Sequence, residues 1–291
     1  MTKILVLGSK GQLGRCLADQ FSGTDYGMIF TSRADIDIAD LFGAKDKITR
    51  LRPDLIINAS AYTAVDKAEQ DRDMAYLVNH KAVANIAQIC AEIGCGLIHV
   101  STDYVFDGAA TQPYRETDAT NPQGVYGDSK LKGEIAIQAS GCQHLIIRTA
   151  WVFSEYGNNF LKSMLRLGSE RNELSIVGDQ IGCPTYAQDI AKTIVALVAP
   201  MQEHWFCSGI FHYCGDKACS WHEFAQAIFA AAAKGGLTVP ERVIAISSKD
   251  YSTSATRPAY SVLDCTNMAK SFELVPSDWQ RAIPAVLRAL A

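Results

Sequence analysis

A tyrosine and a lysine spaced four residues apart form the first candidate for chemistry in this sequence. Tyr126 and Lys130 stand in the stretch YGDSK at the start of an amphipathic segment, so both side chains lie on one face of a predicted helix. A phenol has a reference pKa of about 10 and exchanges its proton poorly near neutral pH. A nearby ammonium group stabilises the phenolate and lowers that pKa. The pair is predicted to relay a proton, although the same spacing is also common on solvent-facing helices.

Polar and aromatic residues follow the neighbouring predicted strands. Ser101, Thr102 and Asp103 end one strand, at the carboxyl edge where open α/β sheets bind their ligands. Thr102 is interpreted as a hydrogen-bond partner of a substrate carbonyl beside Tyr126, or alternatively as the cap of a turn. Trp151 comes just after the next strand and is interpreted either as an aromatic platform for a sugar or base, or as a core residue.

Three glycines near the N-terminus form the second candidate site. Gly8, Gly11 and Gly14 stand in GSKGQLG, which directly follows the first predicted strand and opens the first predicted helix. A pyrophosphate approaches the backbone only where no Cβ blocks it, and a helix N-terminus supplies amide donors and a positive dipole end. The spacing is one residue longer than the commonest dinucleotide fingerprint, and a structural turn is the alternative. The strand before and the helix after favour a dinucleotide site.

The end of the second predicted strand bears on the choice of dinucleotide. An acidic residue there hydrogen-bonds the ribose of NAD, whereas a basic residue accommodates the 2′-phosphate of NADP. The sequence reads Thr31-Ser32-Arg33, which favours NADPH and leaves NADH open. Asp37 and Ile38 follow closely and are predicted to border the adenine.

These residues must be positioned by a regular alternation of strands and helices. Near-continuous apolar runs, typical of parallel strands covered on both faces, occur at 3–7, 28–31, 55–58, 97–101 and 144–148. Helices are predicted between them at 12–21, 42–51, 75–93 and 126–139. Asn79 on the third helix is interpreted as a solvated residue or as a group that positions a water or the Lys130 ammonium. The alternation predicts an α/β fold with a Rossmann-type, doubly wound parallel sheet.

The alternation changes after about residue 148, which indicates a second and smaller lobe. Residues 151–184 carry glycine, asparagine and aromatic residues in place of regular strands. Later elements are predicted as a helix at 187–198, a strand at 210–213, a helix at 221–234, a loop at 247–258 and a helix from 278. We therefore predict a dinucleotide-binding domain over 1–150, to which 187–214 returns. A mainly substrate-binding α/β lobe over 151–291 is interleaved with it in sequence.

Composition and charge argue against several classes of protein. The 291 residues are 48% hydrophobic and 20% charged, as in ordinary globular domains. The net charge of −4, with no basic stripe, disfavours nucleic acid and anionic membranes as partners. No targeting signal or run of about 20 apolar residues is visible, so a cytoplasmic location is expected. The nine cysteines form no CxxC pair, which predicts reduced, buried thiols rather than a zinc site or disulfides.

Several of these segments together resemble the extended short-chain dehydrogenase/reductase family. The glycine loop, the run STDYVFDG from Ser101 to Gly108 and the Tyr126–Lys130 pair carry that resemblance. Within the family, further segments are similar to dTDP-4-dehydrorhamnose reductases: NASAYTAVDKAE from 58, YGDSKLKGE from 126, RTAWVF from 148, GNNFLKSMLRL from 157 and DQIGCPT from 179. The Arg257-Pro258 loop adds a weaker match.

The resemblance implies an activity and a role for each matched position. NAD(P)H would reduce the C4 ketone of dTDP-4-dehydro-L-rhamnose to dTDP-L-rhamnose, for surface polysaccharide such as O antigen. Tyr126 would protonate the forming C4 alkoxide, Lys130 would hold the cofactor ribose and tune Tyr126, and Thr102 would complete the triad. Implied substrate contacts are Thr102, Asp103 and Trp151. With the glycine loop, the cofactor-binding set is Gly8, Gly11, Gln12, Leu13, Gly14, Ser32, Arg33, Asp37, Ile38, Ala61, Tyr62, Thr63, Tyr126 and Lys130.

Departures from the family pattern leave alternatives open. Arg15-Cys16 stands where some members carry a metal-binding glutamate, so no metal is predicted, while a homodimer stays compatible with the sequence. Lys162, Arg166 and Arg257 are candidates for holding a nucleotide diphosphate, against the alternative that they are solvated. One alternative function is a non-catalytic, NADP-binding regulatory subunit resembling the β subunit of methionine adenosyltransferase. The other is a reductase or epimerase of a different nucleotide sugar.

Overall fold

Strands and helices alternate along the chain in the computed structural model, which describes residues 1–203 and 208–291. The strands are β1 (Lys3–Leu7), β2 (Gly27–Thr31), β3 (Leu55–Asn58), β4 (Gly96–Thr102), β5 (His144–Thr149), β6 (Val152–Phe153), β7 (Glu173–Val177), β8 (Ile181–Gly182), β9 (Thr185–Tyr186), β10 (Gly209–His212), β11 (Cys219–Ser220) and β12 (Arg242–Ile246).

The helices are α1 (Gln12–Phe21), α2 (Leu41–Leu51), α3 (Val65–Ala68), α4 (Arg72–Tyr76), α5 (Ala82–Ile93), α6 (Val125–Ala139), α7 (Phe160–Glu170), α8 (Ala187–Glu203), α9 (Trp221–Lys234), α10 (Thr266–Phe272) and α11 (Trp279–Leu290). A π-helical turn, Leu77–Lys81, joins α4 to α5, and 3₁₀ turns occur at Asp103–Val105 and Ser248–Asp250. Among the helices of the described ranges, none is long and apolar enough to cross a bilayer.

Six parallel strands form the central sheet in the order β2-β1-β3-β4-β5-β10. The order reverses direction between β1 and β3, and ligands of such sheets bind in the crevice outside the carboxyl ends at this reversal. Leu7, Thr31 and Asn58 are opposite one another there, and Thr102 is opposite Thr149 further along the same edge. The predicted doubly wound α/β fold is confirmed.

Each strand of the sheet is apolar throughout because helices cover both faces. Ile4 and Val6 pack with α1 and α8 on one face, whereas Leu5 and Leu7 pack with α2 and α5 on the other. When both faces of a sheet are covered, every side chain of a strand is buried, so a hydrophobic residue stabilises the fold at every position. This explains the continuous apolar runs. The sheet is thus a rigid base for the loops at its carboxyl edge.

A second group of elements packs beside this sheet around its own aromatic core. Phe224 of α9, Trp279 of α11 and Leu161 of α7 belong to one buried cluster, and β7 and β12 form a separate parallel pair. The chain leaves this group for α8 and β10, which join the main sheet, and returns at β11. The division into domains at residue 150, with 187–214 returning, stays a prediction; positions 204–207 within that span lie outside the described residues.

The prediction that 151–184 lacks regular strands is wrong, and its helix was not predicted. The segment contains α7 and β7. The Asn159 side chain caps α7 by accepting from the Lys162 amide at 3.1 Å, which uses an asparagine that sequence analysis assigned to irregular chain. Strand β12 and helix α10 were also not predicted, since β12 pairs only with β7, far away in sequence. The eight cysteines of the described ranges are buried and unpaired, and Cys207 lies outside them.

Candidate active site

The glycine loop brings the backbone of β1 against β2 and β3. Gly8 has a φ of +85°, and the amides of Gly8 and Ser9 both donate to the Thr31 carbonyl, at 3.0 and 2.9 Å. A Cβ on Gly8 would lie 3.0 Å from the Ala59 backbone, and one on Gly14 would lie 2.2 Å from the Gly8 carbonyl oxygen. Gly11 begins α1 without a side-chain hydrogen bond to cap that helix. The α1 amides and dipole are thus available to an anion, which fits a dinucleotide pyrophosphate.

One cavity of about 670 Å³ connects this loop with the predicted catalytic residues. It runs along the carboxyl edge of the sheet from the first turn of α1 to the first turns of α6. Its lining contains the following residues of the predicted site: Gly11, Gln12, Leu13, Ala61, Thr63, Thr102, Asp103, Tyr126, Lys130 and Trp151. The structure therefore brings the two candidate sites of the sequence together in one space.

Other predicted cofactor residues lie beyond the lining of this cavity. The Ser32 hydroxyl and amide both donate to Asp35, at 2.7 and 2.8 Å, and these bonds lower the pKa of that carboxyl. Arg33 forms an exposed ion pair with Asp37 at 3.0 Å, and Ile38 is buried in the core on the α2 side of the sheet. The Tyr62 hydroxyl donates to the Asp71 carboxylate at 3.1 Å. Gly8 and Gly14 lie in the tightly packed turn itself and are not part of the cavity lining.

A hydrogen-bonded string links Asp103, Thr102 and Tyr126. The Thr102 hydroxyl donates to Asp103 at 3.0 Å and accepts from the Tyr104 amide at 3.2 Å, so Thr102 also caps a turn. Burial raises the pKa of Tyr126, whereas its hydrogen bond with Thr102 lowers it. Burial likewise raises the pKa of Asp103 to about 6, and its Oδ2 atom is buried without a hydrogen-bond partner. The cavity is therefore lined by the Tyr126 phenol, which keeps its proton, and by the Asp103 carboxyl group, which has one oxygen without a hydrogen-bond partner.

The Lys130 side chain contacts strand β4 through its Nζ atom. Its ammonium group is 2.7 Å from the Val100 carbonyl oxygen, to which it donates, and 3.2 Å from Nε2 of His99. Burial lowers the pKa of Lys130 to about 8, and Glu134 raises it. The pKa of His99 is well below its usual value, again because of burial. His99 was not predicted as a site residue, since a histidine within an apolar strand is typical of a core position.

Two contacts fix the helix that carries Tyr126 and Lys130. Glu134 of α6 forms a buried ion pair with Arg148 of β5, with 2.6 Å between Oε2 and Nη2. Gly133 lies against the π-helical turn, where a Cβ would be 2.3 Å from the Asn79 carbonyl oxygen. The orientation of α6 relative to β5 and the π turn is therefore set by packing that leaves little space.

Asn79 has a different role from either predicted one. It is 1% exposed, and its side chain exchanges two hydrogen bonds with the Tyr62 backbone, at 2.8 and 3.0 Å. It also donates to the Ser129 hydroxyl at 3.0 Å. Asn79 is therefore neither solvated nor directed at Lys130. From its place in the π turn it ties the loop after β3 to helix α6.

An indole pair borders the other end of the cavity. Trp151 has a φ of +46°, and its ring stacks on Trp221 with centroids 3.4 Å apart and planes at 7°. Both rings line the cavity, and Trp221, the first residue of α9, was not predicted. Gln12 and Asn159 connect the glycine loop to α7 through a 2.7 Å hydrogen bond. Both contacts join residues distant in sequence, so no local pattern indicates them.

Of the three basic candidates for a diphosphate site, Arg257 lines the cavity. It donates to Asp66 at 2.6 Å and to the Tyr104 hydroxyl at 3.3 Å, and its Nε is buried without a partner. Lys162 donates to the Glu155 carbonyl, and Arg166 forms an exposed pair with Glu170. Within the described ranges, no cluster of three or more histidine, cysteine or acidic residues is arranged to hold a metal ion.

Comparisons with known proteins agree on one family. The family described as "RmlD substrate binding domain" matches residues 1–291. The dTDP-4-dehydrorhamnose reductase of Aggregatibacter actinomycetemcomitans is 42% identical over 287 residues, covering 97% of each chain. Among solved structures, the dTDP-4-dehydrorhamnose reductase ortholog of Clostridium acetobutylicum has a TM-score of 0.92 at 35% identity, with 99% of both chains covered.

A second solved structure is the dTDP-4-dehydrorhamnose reductase of Bacillus anthracis in complex with NADP. It has a TM-score of 0.91 at 33% identity, and the match covers 99% of this chain and 100% of that one. The family match spans the glycine loop, the tyrosine and lysine of α6, and the aromatic core of α7, α9 and α11 alike. This chain belongs to the dTDP-4-dehydrorhamnose reductase family.

Proposed function

We propose that this protein reduces the C4 ketone of dTDP-4-dehydro-L-rhamnose with NAD(P)H, giving dTDP-L-rhamnose for surface polysaccharide. The observation that carries the proposal is the single cavity in which the α1 N-terminus, Thr102, Tyr126 and Lys130 meet. A nucleotide-binding loop beside a proton donor is the arrangement that a carbonyl reduction needs. Membership of the reductase family supports the same substrate class.

The residues of the cavity fit a nicotinamide dinucleotide. Gly8 and Gly14 allow the turn to close, since a Cβ on either would meet the backbone of Ala59 or of Gly8 itself. Gly11, Gln12 and Leu13 line the cavity and would hold the pyrophosphate at the start of α1. When bound, NADPH supplies the hydride. Ser32 and Arg33 would contact the 2′-phosphate, because the Arg33–Asp37 pair is exposed and Arg33 can exchange its partner at small cost. We therefore propose a preference for NADPH over NADH.

Tyr126 would supply the proton. Burial raises its pKa, so the phenol keeps its proton until the C4 oxygen becomes a strongly basic alkoxide. The proton then passes from the Tyr126 hydroxyl to that oxygen. The Thr102 hydroxyl, whose interaction with Tyr126 favours the ionised phenol, would turn its hydrogen from Asp103 to the phenolate that remains. Asp103 and Trp151 would orient the sugar, and Arg257 would meet the diphosphate, since each lines the cavity.

The experiment follows NADPH oxidation with enzymatically made dTDP-4-dehydro-L-rhamnose and a panel of other 4-keto nucleotide sugars. Tyr126→Phe is expected to lower kcat about 100-fold or more, the size of a general-acid contribution. Tyr76→Phe is the matched control, since the Tyr76 hydroxyl hydrogen-bonds Asp128 on the same helix, outside the cavity lining. Wild-type turnover in Tyr126→Phe would refute the mechanism.

Other outcomes would select the alternative functions. Retained, recycled cofactor without net NADPH consumption would indicate an epimerase. A stoichiometric partner enzyme with no turnover on any sugar nucleotide would indicate a regulatory subunit. We also propose a homodimer in the cytoplasm, to be measured by light scattering after gel filtration and by cell fractionation.

A further inference from the structure

The turn after β2 already binds an anion, which is the carboxylate of its own Asp35. The Ser32 amide and hydroxyl both donate to Oδ2 of Asp35, at 2.8 and 2.7 Å. Each of these groups has one hydrogen to donate, so Asp35 uses both donors of Ser32. A carboxylate accepts up to about four hydrogen bonds, so the exposed Asp35 side chain keeps acceptor sites for a further donor.

This turn lies where the adenosine half of a dinucleotide is expected. The amides of Gly8 and Ser9 donate to the Thr31 carbonyl, so Ser32 directly follows the residue that contacts the glycine loop. In dinucleotide-binding folds the end of the second strand meets the ribose at its 2′ position. The Asp35 carboxylate and a 2′-phosphate are therefore two anions that require the same donors.

Positive charges near Asp35 keep its carboxyl group ionised. The hydrogen bonds from Ser32 lower the pKa of Asp35, and the charges of Lys10 and Lys47 lower it further. Nζ of Lys47 also donates to the Asp35 backbone carbonyl, which places this ammonium group beside the turn. Asp35 is thus a charged carboxylate at neutral pH, in a turn whose other groups attract anions.

The two nicotinamide dinucleotides meet this carboxylate differently. The ribose 2′-hydroxyl of NADH is an uncharged donor, so Asp35 can accept from it without releasing Ser32. The 2′-phosphate of NADPH is a phosphate monoester with a charge of about −1.5 to −2 at neutral pH. It reaches the Ser32 donors only by displacing Asp35, and beside an undisplaced Asp35 it is repelled.

We propose that Asp35 is a specificity-determining residue for the dinucleotide, which opposes the 2′-phosphate of NADPH by holding both donors of Ser32. The preference for NADPH that Ser32 and Arg33 would give is reduced as a result, and NADH stays acceptable. The inference rests on the proposed reductase function only through the dinucleotide site. The tests below therefore measure binding without a sugar nucleotide.

The first test measures the Kd of the full-length protein for NADPH and for NADH by isothermal titration calorimetry. Asp35→Asn keeps an amide oxygen that accepts from Ser32 but removes the charge. The NADPH Kd should fall about tenfold while the NADH Kd stays within about threefold, because a carboxylate and a phosphate a few ångströms apart at a solvated surface repel by this much. An unchanged ratio of the two Kd values, or a shift of that ratio towards NADH, overturns the proposal.

Two fragments separate this effect from the nicotinamide half of the cofactor. Adenosine 2′,5′-bisphosphate carries the 2′-phosphate, and 5′-AMP lacks it. Asp35→Asn should strengthen binding of the bisphosphate alone, and an equal gain for both fragments contradicts the proposal. Asp35→Ser also removes the charge and serves in the same titrations if Asp35→Asn does not fold.

Asp40→Asn provides the matched control. Asp40 is another exposed carboxylate, five residues further along, and it caps α2 by accepting from the Gly43 amide at 3.0 Å. Asparagine caps a helix about as well as aspartate, so this change removes one negative charge and keeps the turn. The ratio of the Kd values should stay within about twofold of the wild type. A gain equal to that of Asp35→Asn would indicate a general charge effect and overturn the proposal.

A double-mutant cycle tests the competition for Ser32 itself. In the wild type, Ser32→Ala removes a hydroxyl that the phosphate gains only at the expense of Asp35, so the NADPH Kd should change little. In the Asp35→Asn background the same change should raise the NADPH Kd by about threefold or more beyond its effect in the wild type. Equal effects in both backgrounds overturn the proposal.

The outcomes also separate this inference from the proposed function. A wild-type protein that binds neither dinucleotide would refute both. A protein that binds both dinucleotides, with a Kd ratio that Asp35→Asn does not alter, would refute only the role of Asp35.

Discussion

Removal of one partner of the Glu134–Arg148 pair should destabilise the protein strongly. Glu134→Leu deletes three contacts to the guanidinium, at 2.6, 3.0 and 3.2 Å, and leaves Arg148 buried at 3% side-chain exposure. Arg148 would keep only the Phe106 ring, 5.1 Å from its guanidinium carbon, and a 3.5 Å contact between its Nη1 and Nε2 of His212, neither of which supplies a negative charge. An unpaired buried charge of this kind costs about 3–5 kcal/mol.

The same free energy can be expressed as a melting temperature. For 291 residues the entropy of unfolding is about 0.6 kcal/mol/K, so Glu134→Leu should lower Tm by about 5–8 °C. Differential scanning calorimetry measures Tm, and urea unfolding at 25 °C measures the free energy. The Glu134→Leu, Arg148→Met double variant should recover most of the loss, because two apolar side chains leave no charge unpaired.

An exposed pair provides the matched control for this prediction. Arg166 and Glu170 are 62% and 51% exposed and lie one turn apart on α7, so Glu170→Leu should cost only about 0.3–0.5 kcal/mol. The reasoning fails if Glu134→Leu stays within about 1 kcal/mol of the wild type. It also fails if the double variant is less stable than the single one.

Three further substitutions test other parts of the site. Folding lowers the pKa of Lys130 from 10.5 to about 8, so the unfolded chain binds more protons between these values and stability rises with pH there. Wild type should gain about 3 kcal/mol over Lys130→Met from pH 8 to 10.5 in urea unfolding, and a constant difference would count against a buried lysine. Gly8→Ala should weaken NADPH binding about tenfold or more in fluorescence titrations, because its φ is +85° and its Cβ would lie 3.0 Å from Ala59. Gly23→Ala, at +80° with open space around it, should keep the wild-type Kd; equal losses would disprove the steric argument. Arg257→Leu should raise KM for the sugar nucleotide about tenfold or more with an unchanged NADPH Kd. A parallel loss of NADPH affinity would mean that Arg257 contacts the cofactor rather than the sugar nucleotide.

The main sheet could be predicted because its signals are local. Strands covered on both faces are apolar at every position, so β1 and β3 were predicted with their observed bounds. The β7–β12 pair could not be predicted, since Glu173 lies opposite Arg242 and no turn between the strands encodes that register. The π-helical turn 77–81 adds one residue without disturbing the apolar pattern, so the helix around it was predicted as continuous.

The residues of the candidate site likewise divide into those with a local sequence signal and those without one. Tyr126 and Lys130 share a helix and Thr102 ends a strand, so spacing and position indicated all three. His99 and Trp221 act through partners on other elements, and their contacts exist only once α6 crosses β4 and α9 meets the end of β5. At the β2 end, Arg33 was predicted from its charge alone, while its pairing with Asp37 depends on the turn between them.

The stacked indole rings of Trp151 and Trp221 should give this protein an intrinsic circular-dichroism signal. Trp151 follows strand β5 of the main sheet and Trp221 begins helix α9, with their ring centroids 3.4 Å apart. Two aromatic chromophores in face-to-face contact couple their electronic transitions, and the resulting circular-dichroism couplet depends steeply on their separation and angle. A ligand that moves α9 relative to the end of β5 would therefore change this couplet without any added dye, and Trp221→Phe would abolish it.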